Sequence, residues 1–179
     1  MTRIPGHTIE DAPEAARPLL EDMLQFSPTG RLLNMHAQMA HAPVVLDAYT
    51  SIRRAAGRNG TLDPQVRSAL MLATAVVDGN EYALAIISML ALRSGWRRDQ
   101  VDALLAGKNL DEEKADTLIG VVREAAANSG HVSDVTWGRA TGSGWSSEQL
   151  AEAFAYLGLT VFTAYFLNYA ATELDIPGA

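Results

Sequence analysis

The chain has 179 residues, 48% of them apolar, with a formal net charge of −7 and a sequence pI of about 5.0. This length and apolar share suit one globular domain with a real core and exclude a disordered chain. The acidic balance argues against a nucleic-acid partner, which needs clustered Lys and Arg, and the absence of cysteine excludes disulfides, zinc thiolate sites and thiol nucleophiles. The basic pairs Arg53–Arg54 and Arg97–Arg98 read as solvated helix ends. Residues 1–18 lack the apolar core of a signal peptide, so a cytoplasmic location is expected.

The punctuation is helical throughout, with no strand alternation. Asp11, Pro13 and Glu14 predict a helix reaching Met23. A second is predicted over 30–41 and stopped by Pro43, which opens a third ending near Gly57. Asp63-Pro64 reads as a cap followed by proline at the first helical position. That helix runs to about Asp78, and its partner follows over 80–93. Shorter helices are predicted at 99–105 and 133–140, and long ones at 111–127 and 146–172. Ser146 and Gln149 form a capping box, with Trp145 and Leu150 as its hydrophobic staple. The uncharged run 153–167 falls short of the roughly 20 residues a bilayer span needs. It is read as a buried or interfacial helix, with no membrane partner expected.

A repeat is expected in the second half. Leu62-Asp63 recurs as Leu110-Asp111, and the Gly-Trp turn at Gly95-Trp96 recurs as Gly144-Trp145. The chain is therefore read as one all-α domain, with N-terminal helices over 1–60 and two similar helical units over 61–106 and 110–175.

The stretch from Leu62 to Gly95, the helix opened by Asp111 and the tail Leu174-Asp175-Ile176-Pro177 resemble the alkylhydroperoxidase D-like and carboxymuconolactone decarboxylase family. The segment from Asn34-Met35-His36 to Ala42-Pro43 resembles the helix upstream of that family's core. The resemblance implies an all-α fold around a central helical hairpin, assembled as trimers or hexamers. Active members carry Glu, eleven residues, then Cys-x-x-Cys-x-x-x-His across the hairpin. With Tyr82 and Gly95 fixing the register, the Glu position is Ser68, the cysteine positions are Asn80 and Ala83, and the histidine position is Ile87. The carboxymuconolactone branch also keeps a histidine here. No catalytic role of the family carries over to these four degenerate positions.

Other chemistry is sparse. His36 and His41 lie about 140° apart on a helix and do not share a face, so no metal site is expected, nor any cofactor. His7 reads as part of a loose terminus and His131 as a turn residue. Asn80, Glu81 and Tyr82 are candidate catalytic residues, because burial can tune a tyrosine or carboxylate for proton transfer. Phe154, Phe162, Tyr165, Phe166 and Tyr169 follow helical spacing and read as core or subunit interface. These features predict a binding or assembly protein without thiol peroxidase activity that could take a small organic ligand, and the resemblance implies that it is a homotrimer or hexamer. The alternative is a non-redox enzyme, performing lyase or acid–base chemistry on a small organic acid or lactone.

Overall fold

The computed structural model describes residues 2–176; Pro177 lies outside the described residues. It is all-α, with nine α-helices and no strand among the described residues. A 3-10 turn, Glu14–Ala16, leads into α1 (Arg17–Gln25), followed by α2 (Asn34–Met39), α3 (Pro43–Asn59), α4 (Pro64–Asp78), α5 (Glu81–Arg93), α6 (Arg98–Leu105), α7 (Glu113–Ala127), α8 (Asp134–Gly142) and α9 (Ser147–Ala170).

Helix α4 is the hub. It packs on α5, α7 and α9, and α9 also lies against α3, α5 and α7. Small residues on α4 allow this close approach, since Ala69, Ala73, Thr74 and Ala75 are fully covered along with Leu70 and Leu72. Helix α9 is long and apolar enough by composition to cross a membrane, but its four helical neighbours here make it a core element.

Several boundaries differ from the sequence-based expectation. The first helix is broken, because a helix running through Pro18 would press the proline ring onto the Glu14 carbonyl; the chain makes the 3-10 turn first and starts α1 at Arg17. The second helix begins at Asn34 rather than at residue 30. Gly30 sits at φ 73° and Leu33 is extended, so the intervening chain is not helical. Asp63 makes no side-chain cap bond, and α4 starts on Pro64. Helix α7 begins at Glu113 because Asp111 is left-handed, while the Asp116 carboxylate accepts the Leu110 and Glu112 amides at 2.8 and 3.3 Å. Arg53 and Arg54 lie inside α3, not at a helix end. Arg53 contacts the Met23 sulfur and Arg54 pairs with Asp22.

The N-terminal segment is tied down. The Arg3 amide donates to the Ala170 carbonyl at 2.9 Å and the His7 amide to Ala37 at 3.0 Å. The His7 and His41 ring nitrogens, Nε2 and Nδ1, meet at 3.0 Å. His7 is therefore a fixed residue and not part of a loose end.

Two hairpins, α4–α5 and α7–α8, carry the same hydrogen bonds 49 residues apart. Trp96 Nε1 donates to the Gln65 carbonyl at 2.7 Å, and Trp145 Nε1 to that of Lys114 at 2.8 Å. Ser68 Oγ meets Ser94 Oγ at 2.7 Å, and Thr117 Oγ1 meets Ser143 Oγ at 2.7 Å. The left-handed glycines Gly95 and Gly144 shape equivalent turns.

Candidate functional site

The hairpin α4–α5 turns at Gly79, whose φ of 67° only glycine adopts without strain. Asn80 follows as a cap, its Oδ1 accepting the Ala83 amide at 2.9 Å. Its other end reaches α9, where Nδ2 donates to Asn168 Oδ1 at 2.6 Å. Asn80 thus holds the start of α5 against α9. Ala83 is fully covered and Ile87 is 3% exposed. Ser68 is buried and engaged with Ser94 and the Gln65 carbonyl. None of these four presents a nucleophile, an acid or a base. Leu84 and Met89, on the same helix, are only partly buried.

Tyr82 and Glu81, adjacent in sequence, part company in space. Glu81 is exposed at the start of α5, where a carboxylate favours the positive end of the helix dipole. Tyr82 is 3% exposed, and its hydroxyl donates to Asp175 Oδ1 at 2.5 Å. Burial, then the bond to Asp175 and its charge, push the phenol well above its ordinary range. Asp175 Oδ2 also accepts the Asn34 amide at 3.0 Å, so one carboxylate joins α5 to α2.

Behind this pair lies His36, on the buried face of α2. Its ring stands 5.4 Å from that of Tyr49, and its Nε2 is buried without a partner. Burial, with the Arg53 charge adding to it, lowers the imidazole to about 3. Tyr49 is raised, also by burial, although Arg53 opposes the shift. Buried His36, Tyr49 and Tyr82, with half-buried Asp175 at the edge, form a polar seam rather than an open cleft. Asp175 was visible in sequence only as part of the tail motif, and no signal paired it with Tyr82.

The open space lies next door. Val45, Phe162, Tyr165, Phe166, Asn168 and Tyr169 line an apolar groove of about 650 Å³. Asn168 is the side chain that Asn80 holds. Tyr165 and Tyr169 are 63% and 72% exposed, and Phe154 continues the stripe at 66%. Among the described residues no three His, Cys, Asp or Glu side chains gather as a metal site would require.

The all-α fold around the α4–α5 hairpin is the alkylhydroperoxidase D-like fold. Solved structures share this fold. The chain matches an alkylhydroperoxidase AhpD core, an uncharacterized peroxidase-related protein from Ralstonia eutropha, with a TM-score of 0.86 and 14% identity over 97% of this chain and 92% of that one. It matches the debrominase Bmp8, solved with 2,3,4-tribromopyrrole, with a TM-score of 0.82 and 16% identity over 98% and 92%. It matches a peroxidase-related protein from Silicibacter sp. with a TM-score of 0.80 and 12% identity over 97% and 92%. No curated protein matches the sequence. Residues 43–112, from the start of α3 to the turn before α7, match the carboxymuconolactone decarboxylase family. This match spans 70 of the 179 residues and marks a similarity to that family.

Proposed function

We propose that this protein is a non-thiol member of its family with a binding or assembly role, and that it acts as a homotrimer or hexamer built on the aromatic face of α9. The observation that carries this reading is a contrast between neighbouring surfaces. The family's reactive positions hold Ser68, Asn80, Ala83 and Ile87, while the aromatic groove beside Asn80 stays open. Without cysteine there is no sulfenate and no resolving disulfide. An exposed stripe of Phe154, Tyr165 and Tyr169 is the kind of apolar surface that marks a partner, and closed symmetric self-association is the common solution. A small apolar organic ligand is the other occupant this groove would suit.

Acid–base catalysis on an organic acid or lactone is the weaker reading. The Tyr82 hydroxyl is committed to Asp175, and Glu81 is exposed, away from that pair.

Light scattering across a gel-filtration peak, run beside a hydroperoxide assay with thiol reductants, tests the proposal. The expected result is an oligomer that Tyr165→Glu dissociates, with peroxide consumption no greater than a heat-killed control. A clean 19.2 kDa monomer would remove the assembly role. Turnover above the control would refute the non-thiol-peroxidase reading.

A further inference from the structure

The second hairpin holds a groove of its own. It lies between α7 and α8, encloses about 460 Å³, and is lined by Glu113, Thr117, Gly120, Thr136, Arg139 and Ser143 among others. The 49-residue correspondence of hydrogen bonds matches it to the Ser68–Ser94 region of the first hairpin. Thr117 and Ser143 correspond to Ser68 and Ser94. At the same offset Gly120 stands for Met71, Thr136 for Ile87 and Arg139 for Leu90. In α4–α5 the three matching positions carry apolar side chains. In α7–α8 the groove is open and polar.

The chain itself does not require that opening. Gly120 lies mid-helix, where glycine weakens a helix relative to almost any other residue, and its φ is not among the positive ones. A Cβ there would meet only the Thr136 methyl, at 4.0 Å. Gly142, at the end of α8 and also on the groove wall, would meet nothing within 4 Å. The backbone would accept side chains at both places, yet none is present, and the gap they leave is bordered by charge.

The charges indicate what fits. Asp116 is occupied, since both its oxygens accept backbone amides. Glu113 and Arg139 remain, and among the described residues they form no ion pair with each other or with any other group. A simple anion drawn to Arg139 would meet the Glu113 carboxylate on the same walls, and a simple cation would meet the guanidinium. A molecule bearing both charges satisfies each wall. The Thr117 and Ser143 hydroxyls meet at 2.7 Å, so one proton lies between them and the other goes to the Lys114 or the Ala140 carbonyl, at 2.8 or 2.9 Å, leaving lone pairs on both oxygens. They are therefore free to accept from a ligand.

We infer that the α7–α8 groove is a binding site for a small zwitterion of the amino-acid class, its carboxylate on Arg139 and its ammonium toward Glu113. The site is independent of the α9 face and of the altered first hairpin.

Titration of the full chain with L-serine, followed by amide chemical shifts, tests this. Saturable shifts are expected at Gly120, Thr136, Arg139 and Ser143. The single-charge analogues propionate and ethylammonium should bind at least about tenfold more weakly. Arg139→Gln should weaken L-serine by a similar factor. Gly120→Met, which installs the residue of the first hairpin, should abolish binding while keeping or raising Tm, because it favours the helix. The absence of saturable shifts at millimolar L-serine would overturn the inference. So would L-serine binding unchanged in Gly120→Met, or a change of oligomer mass in that variant, which would make the groove a seat for a second copy.

Discussion

His36 is the residue whose surroundings most constrain its chemistry. An imidazole lowered to about 3 by burial stays neutral in the fold at any ordinary pH, whereas the same ring in the unfolded chain takes up a proton below its ordinary value of 6.5. The unfolded state then binds more protons, so the stability His36 contributes is complete above pH 6.5 and is lost as pH falls from there toward 3. The slope is about 1.4 kcal/mol per pH unit inside that window. His36→Phe keeps a ring beside Tyr49 and removes the unpartnered Nε2, so denaturant unfolding between pH 6.5 and 4 should show a flatter acid limb than the parent. An unchanged limb would mean that the ring reaches solvent. This burial was not legible in sequence. The spacing of His36 from His41 excluded a shared helix face but said nothing of what α3 lays over it.

Caps and turns of the helices were legible where their signals are local. Ser146 and Gln149 form the capping box their spacing predicts, and Asn80 opens α5 where the hairpin was expected to turn. Elements were misplaced where a proline or a left-handed residue overrode the pattern, as at Pro18, Gly30 and Asp111. A junction that no pattern exposed lies between α3 and α4. Glu152 of α9 accepts the Thr61 amide and hydroxyl at 2.6 and 2.7 Å, the Leu62 amide at 3.2 Å and the Tyr156 hydroxyl at 3.0 Å. Burial alone would raise this carboxyl, but those donors outweigh it and hold the group below its usual value. Tyr156 is pushed up to about 12 by burial and by that same bond. Gly60 lies directly beneath. A Cβ there would stand 2.5 Å from the Ala56 carbonyl oxygen, 2.7 Å from Glu152 and 2.8 Å from Tyr156. Gly60→Ala should therefore destabilise by about 1–3 kcal/mol in chemical denaturation. Gly57→Ala, a helical position with nothing within 4 Å, should instead stabilise by about 0.5–1 kcal/mol. Equal effects from the two would dismiss the steric account.

At the scale of the whole molecule, the two ends of the described chain are drawn to one place. Arg3 bonds to Ala170 and Tyr169, Gln38 bridges the Ile4 carbonyl and Thr172, Arg31 donates to the Asp175 carbonyl at 2.5 Å, and Asp175 ties Asn34 to Tyr82. The fold class and the presence of the α4–α5 hairpin could be read from the chain, because helical spacing and the Gly-Trp turns are short-range. This closure could not, since its partners lie as far as 167 residues apart along the chain (Arg3 to Ala170). Asp175→Ala would leave the buried Tyr82 hydroxyl and the Asn34 amide without their acceptor. It should cost about 1–3 kcal/mol and speed hydrogen exchange at residues 3–7 and 34–38 together. Faster exchange at only one of the two segments would show that they are not secured through the tail.

The matched indoles give each hairpin its own optical reporter. Trp96 and Trp145 sit in equivalent buried turns, each donating to a backbone carbonyl, while Trp137 is exposed on α8. Among the described residues only Trp145 has an ammonium over its ring, that of Lys114, at 4.6 Å from the centroid. A soluble quencher therefore reaches Trp137 first, and the nearby cation distinguishes the emission of Trp145 from that of Trp96. Loosening of the α4–α5 half and of the α7–α8 half can then be followed as separate fluorescence events in one unlabelled molecule.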